Sequence, residues 1–166
     1  MATNLTTTIY SGIDLVINYT DDEETAVQTM IPVDPIRMEN GTGSNQADVK
    51  ISDFRTLAVS NTASLNINVY AAQALGRAVT MVKVKAFRAY QTGTNILKLF
   101  NNASTPFNGP FAGTTPTWTL SEGGGLMMWN PVSGWDCSSG VAHILQVDNV
   151  SGGASSYDLH FVGTSA

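Results

Sequence analysis

Two histidines, one cysteine and thirteen carboxylates are the groups with which this 166-residue chain can do acid–base, nucleophilic or metal chemistry. His143 and His160 each fall within a short apolar run that reads as a strand, without the HxH or HExxH spacing that sets imidazoles around a metal. Cys137 is alone, which excludes an intrachain disulfide and a cysteine-based zinc site. Its neighbour Asp136 disfavours the thiolate, so the thiol is expected to be unreactive. Ser138 and Ser139 lack the G-x-S-x-G turn of a hydrolase nucleophile. Gly123, Gly124 and Gly125 lead into a strand, whereas phosphate loops lead into a helix N-terminus with a lysine nearby. Asp21, Asp22, Glu23 and Glu24 are contiguous. A calcium loop spaces its ligands and bends at a glycine, so these acids read as a solvated turn. No catalytic residue, metal ligand or cofactor is expected, and the chain reads as something other than an enzyme.

Charge is sparse but unevenly placed. Charged residues are 13% of the chain, about half the usual share, and the net charge is −5. Residues 1–48 carry eight acids against Arg37, residues 49–100 carry seven bases against Asp53, and residues 101–166 carry four acids and no base. An acidic front, a basic middle and an acidic tail can balance between neighbouring strands or between copies of the chain. Overall acidity excludes non-specific nucleic-acid binding, which needs a basic surface to release counterions. No stretch approaches the ~20 apolar residues of a membrane helix. The first residues have neither a basic n-region nor an apolar h-region, so the product is expected to be made in a cytoplasm and to stay soluble.

These groups must be positioned by β-structure. The last third is written as short apolar runs (Trp118 to Leu120, Leu126 to Trp129, Ile144 to Val147, Tyr157 to Val162) separated by Gly, Asn, Pro and Ser, the pattern of antiparallel strands and tight turns. Trp118, Trp129 and Trp135 all lie here, and core packing is expected for them. Leu65, Ile67 and Val69 alternate with Asn66 and Asn68, the period of a half-exposed strand. Ile13 to Tyr19 and Ala26 to Ile31 read as a hairpin around the acidic turn. Residues 32–48, with two prolines and two glycines, read as a long loop projecting from one end of a sandwich, and residues 101–117 as a second loop pinned by Phe107 and Phe111. Residues 71–78 are the one helix-favouring segment, although Gly76 interrupts it and a single turn or loop serves equally. The strand through residues 80–90 carries Lys83 and Lys85 on one face, and Arg88 on the other unless a bulge intervenes. The fold expected is a single-domain, antiparallel, all-β sandwich of jelly-roll kind spanning residues 9–166. It follows an extended N-terminal arm, residues 1–8.

Two segments are candidates for partner binding. The arm residues Ala2, Thr3, Asn4, Leu5, Thr6, Thr7 and Thr8 can add an extended strand to a partner's sheet edge. Lys83 and Lys85 can form a basic stripe against an acidic surface. Trp129 and Trp135 flank a turn and can stack on sugar rings if exposed.

The succession Ile96-Leu97-Lys98-Leu99, Trp118-Thr119-Leu120-Ser121, Glu122-Gly123-Gly124, Leu126-Met127-Met128-Trp129, Asn130-Pro131, Gly134-Trp135, Ile144 to Asn149, Tyr157-Asp158-Leu159 and the Val162-to-Ala166 close resembles small structural proteins of tailed bacteriophages, of the head decoration or cement kind. That resemblance implies an all-β homotrimer on the outer surface of the capsid, binding the major capsid protein and clamping neighbouring capsomers. It also implies an arm that orders on the shell, and no catalytic residues. The virion surface is then the expected location. A tail, neck or spike component, or a carbohydrate-binding sandwich module, are the other readings.

Overall fold

A computed structural model of the chain describes residues 7–9, 16–21, 24–29, 36–72, 77–101, 104–107, 109–110, 117–138, 140 and 143–166. Fifteen strands follow one another: β1 Thr7–Ile9, β2 Val16–Asp21, β3 Glu24–Thr29, β4 Ile36–Met38, β5 Val49–Leu57, β6 Thr62–Asn66, β7 Val69–Ala72, β8 Arg77–Thr80, β9 Lys83–Gln91, β10 Leu97–Asn101, β11 Thr117–Leu120, β12 Gly125–Trp129, β13 Trp135–Asp136, β14 Ile144–Asn149 and β15 Ser155–Thr164. Every strand pairing is antiparallel.

Two sheets make the sandwich. One runs β12-β9-β15-β5, with β13 continuing the β12 side of β9, and the other runs β11-β10-β14-β6. Leaving aside β13 and the β7–β8 hairpin, the order of pairing is nested. The first sandwich strand, β5, pairs the last, β15; β6 pairs β14; β9 pairs β12; and β10 pairs β11. This is one long hairpin folded over itself across two sheets, the arrangement of an eight-stranded jelly roll.

Period-two alternation builds the core. Ile51 and Leu57 of β5, Leu65 of β6, Phe87 and Ala89 of β9, Leu97 and Leu99 of β10, Leu145 and Val147 of β14 and Tyr157, Leu159 and Phe161 of β15 all point between the sheets. Phe87 and Phe161 face each other across β9 and β15, with stacked rings 5.0 Å apart. Phe107 meets Phe161 edge-on from the connection ahead of β11. Burying each such side chain stabilises the fold by roughly 1.5–3 kcal/mol, more than any surface pair in the chain. Phe107 therefore anchors its loop as expected, while Phe111 lies outside the described residues. The three tryptophans behave differently from expectation: Trp118 and Trp129 are exposed, and Trp135 is partly buried against the core. The densest packing belongs to phenylalanine and Tyr157.

Two further expectations are corrected. Of residues 71–78, read as helix-favouring, residues 71–72 and 77–78 lie in the strands of hairpin β7–β8, with Ala71 opposite Ala78, and residues 73–76 lie outside the described residues; so short a segment cannot hold a helix against cross-strand pairing. Residues 39–48 do not project from an end. They fold across the outer face of the β12-β9-β15-β5 sheet, where Met38 and Ala47 pack on Ala86 and Val162. Backbone bonds from Ala47 N to Glu39 O and from Asn45 N to Pro131 O close that flap. Of the arm, Thr7 and Thr8 pair with Met38 and Arg37 as part of the β1–β4 ribbon, while Ala2 to Thr6 lie outside the described residues. The hairpin around the acidic turn is present as β2–β3.

The β1–β4 and β2–β3 ribbons share one register. Ile9 faces Ile36 and Val16 faces Thr29, with segments of equal length, residues 10–15 and 30–35, between them on the two sides. The last pair is Asp21 with Glu24. Among the described residues, strands β1 to β4 thus pair with one another and join neither of the two sheets.

Candidate interaction surface

The strand β9 carries the basic middle of the chain, and a bulge decides where its cations go. Across β15, Val162 faces Ala86 but Gly163 faces Val84, so Lys85 has no opposite number. One extra residue on one strand reverses the alternation beyond it. Val84, Phe87 and Ala89 point into the core. Lys83, Lys85 and Arg88 consequently share the outer face, the outcome the sequence allowed only with a bulge. Gly163 makes the bulge possible: a Cβ there would run into the Lys83 carbonyl oxygen and press on Met81 Sδ. Only glycine permits backbones to come this close.

The two lysines then part in role. Lys85 is 2% exposed, and its Nζ donates to Pro131 O at 3.1 Å and Val132 O at 2.7 Å. It holds down the turn between β12 and β13. Burial, followed by the nearby Lys83 charge, lowers its pKa from the ordinary lysine value. Lys83 is exposed and reaches Ser133 O at 3.4 Å. The stripe that meets solvent on this sheet is therefore Lys83 with Arg88 and Lys50, and Lys85 fastens a loop.

Beyond the flap of residues 39–48 the face lies open. Rows cross it by register: Ser52, His160, Arg88 and Met127 in one, Phe54, Asp158, Tyr90 and Gly125 in the next. Phe54 is 61% exposed and meets the His160 ring edge-on at 5.4 Å. The Arg88 guanidinium lies 5.6 Å from the Tyr90 ring centroid, within cation–π range. Among the described residues Asp53 and Arg55 form an ion pair. Lys83 stands opposite Asp136, whose pKa is lowered by hydrogen bonds from Ser138 and then by the Lys83 charge, and Asp158 shares the open face with Arg88.

His160 is the group here closest to chemistry. Its Nδ1 lies 3.0 Å from Ser52 Oγ, a contact that a serine nucleophile and its base would make. Burial lowers its pKa first, with Lys50 and Arg88 adding to the effect and Asp158 opposing it. The imidazole is thereby held neutral at pH 7, and the bond serves to fix the ring beside Phe54. Acyl chemistry would also need amide donors aimed at an oxyanion, and on both sides of β15 the strand's amides belong to the sheet ladders. His143 lies at the entry to β14 with a buried Nδ1 that has no hydrogen-bond partner.

Two other polar sites are internal ties. Asp53, 2% exposed inside the sandwich, accepts hydrogen bonds from Tyr70 Oη at 2.5 Å, Tyr157 Oη at 2.9 Å and Arg55 Nε at 2.9 Å. The carboxylate thus fastens the β7–β8 hairpin to β5 and β15. Burial, with the Asp53 charge, pushes the Tyr157 hydroxyl pKa far up. Cys137 is fully buried; desolvation first and Asp136 second raise its pKa to about 12, and its Sγ donates to Met81 O. The thiol is closed to redox chemistry in the folded chain. Among the described residues no group of three His, Cys, Asp or Glu could hold a metal; the acidic turn lies partly outside them. Register arithmetic on β9 cannot be done before the bulge is known, so the open face was hidden from sequence reasoning. Its aromatic members Phe54 and Tyr90 gave no spacing signal.

No family model matches the chain, and no curated protein matches it. Among solved structures it is similar to a protein of Bacillus endospore appendages, described as a novel family of disulfide-linked pili. The identity is 10% and the TM-score 0.32, over 69% of this chain and 88% of that one. So distant a likeness carries no functional conclusion.

Proposed function

We propose that this chain is a structural protein that works by covering and joining surfaces, and that it does so as a decoration or cement protein on the outer face of a tailed-phage head. It would bind the major capsid protein and its own copies, as a trimer, without catalysing a reaction. The observation that supports this reading most directly is the half-covered outer face of the β12-β9-β15-β5 sheet. It sets an exposed Phe54 beside His160 on a face that also carries Arg88 and Tyr90. Exposed aromatic side chains beside arginine are the usual anchors of protein interfaces, and a stable one needs on the order of 800 Å² per partner. Many symmetric copies on a shell add further strength through avidity.

The test is to mix purified protein with expanded phage shells. Bound protein in fixed stoichiometry, with shells made more resistant to heat and chelator, is the expected result; shells neither bound nor protected would overturn the proposal. Virion imaging separates a head position from a tail, neck or spike one. The exposure of Trp118 and Trp129 favours a second reading, a carbohydrate-binding module. A change in tryptophan fluorescence with oligosaccharide would select it.

A further inference from the structure

The two sandwich sheets end in the edge strands β5, β12, β6 and β11. Of these β5 is the longest, at 9 residues against 4 or 5 in the others. Among the described residues it pairs with β15 along one side and with no strand along the other. The Thr92 amide donates to Ser156 O, so the even-numbered residues of β15 bond to β9 and its odd-numbered residues bond to β5. The register then commits Ile51, Asp53, Arg55 and Leu57 to the β15 ladder. Ser52, Phe54 and Thr56 turn their N–H and C=O groups to the open edge, which is a template for another strand.

The side chains along that edge decide which strand fits. The run Ile51-Ser52-Asp53-Phe54-Arg55-Thr56-Leu57 is chemically symmetric about Phe54. An aliphatic residue, a hydroxyl and a charge on one side are matched by an aliphatic residue, a hydroxyl and the opposite charge on the other. Laid antiparallel to itself about Phe54, the segment sets Ile51 opposite Leu57, Ser52 opposite Thr56, Asp53 opposite Arg55 and Phe54 opposite Phe54. Centring it on Asp53 would set two carboxylates face to face, and centring it on Arg55 two guanidinium groups. Like charges directly opposite are destabilising. Asp53 is buried and held by Tyr70, Tyr157 and its own Arg55, while Arg55 stays partly exposed and free to lean toward a second carboxylate.

We propose that β5 of one copy pairs with β5 of a second copy, antiparallel and centred on Phe54, so that the β12-β9-β15-β5 sheet continues into the same sheet of the partner. About six backbone hydrogen bonds close the contact. The exposed Phe54 rings meet across it as a cross-strand aromatic pair, each resting edge-on against its own His160. The surface given and the surface received are the same, so the contact has a two-fold axis. It goes beyond the reading above, since a two-fold contact joins one proposed trimer to its neighbour.

Sedimentation of the full chain tests the contact, and circular dichroism melting identifies any variant that has failed to fold. The wild type is expected to associate. Thr56→Pro removes an N–H that points to the open edge and spares the β15 ladder, a place where edge strands tolerate proline. It should weaken association about tenfold or more with little change in melting. Arg55→Glu sets a second carboxylate opposite Asp53 and should weaken association likewise. Register is read by mild oxidation of cysteine variants, the native Cys137 being fully buried. S52C mixed with T56C should form a disulfide between copies, with Cα atoms about 5.5 Å apart, and neither variant should couple to itself. Failure of that mixture to couple, self-coupling of S52C or T56C, association unchanged in both T56P and R55E, or a wild type that stays monomeric at millimolar concentration overturns the proposal. Shells that are still bound and protected in any of those cases leave the structural reading standing. Copies that couple as expected yet ignore shells remove the decoration reading and keep this contact.

Discussion

The two outer faces of the sandwich are built by the same alternation of residues and have opposite characters. On the β11-β10-β14-β6 sheet the outward side chains satisfy one another across strands. Thr62 Oγ1 donates to Asp148 at 3.0 Å and Gln146 Nε2 to Ser64 Oγ at 3.0 Å. Lys98, opposite Asp148, completes a row of matched polar groups. On the β12-β9-β15-β5 sheet part of the outer face is buried under Met38 and Ala47, and the rest shows aromatic rings, Phe54 above all, among polar and charged groups. A face whose polar groups pair among themselves has little left to offer another molecule, whereas exposed aromatic area beside arginine is what interface cores favour. The difference singles out the β12-β9-β15-β5 face as the side on which the proposed recognition would occur.

Substitutions can break this contrast in order of decreasing effect. Gly163→Val removes the close approach that permits the bulge. It should cost more than about 4 kcal/mol, read as loss of a cooperative thermal transition; a stable variant would mean that the bulge does not set the face. Met38→Ala should cost roughly 2–5 kcal/mol because its fully buried side chain fills the space beneath the flap. Gln146→Ala on the opposite face should stay within about 0.5 kcal/mol, and equal losses in urea unfolding would erase the distinction. Phe54→Ala should leave stability within about 0.5 kcal/mol yet weaken self-association severalfold by sedimentation. His160 sharpens the contrast least. Its folded pKa lies below the ordinary 6.5, so the unfolded chain binds the proton first. Its contribution is fully present above pH 6.5 and is lost as pH falls through the folded value. His160→Gln should flatten that part of the stability profile, and an unaltered profile would place the acid sensitivity elsewhere.

The jelly roll was legible in much of the alternating sequence. The run Leu65 to Val69, however, is not the single half-exposed strand expected: β6 ends at Asn66, Asn68 is buried with its amide on Met81 O, and Val69 is exposed. Leu65 flanked by Ser64 and Asn66, and Tyr157, Leu159 and Phe161 flanked by Asp158 and His160, face as their spacing requires. The hairpin around the acidic turn was legible for the same reason. The common register of β1–β4 and β2–β3 was not, since the two ribbons are separated by residues without a strand pattern. Lys85 was misplaced in character because its sequence neighbours announce a solvated strand, while its burial comes from the residues 130–132 turn, some 45 positions away. Arg88 changed faces through a single unpaired residue, a register event that depends on Gly163 in another strand. Trp118 and Trp129 show that a large apolar side chain near the end of an edge strand can stay in water while smaller neighbours fill the interior.

The nesting of the sandwich strands has a kinetic side. Val49 opens the first sandwich strand and pairs with Gly163 near the far end of the chain, and the Asp48 carboxylate accepts hydrogen bonds from Ser165. A β-protein dominated by such distant pairings folds slowly, and on the ribosome the β5 edge would have to wait unpaired until β15 had emerged. The self-paired β2–β3 hairpin needs no such delay, so the acidic end of the molecule would take shape before the face that carries the cations exists.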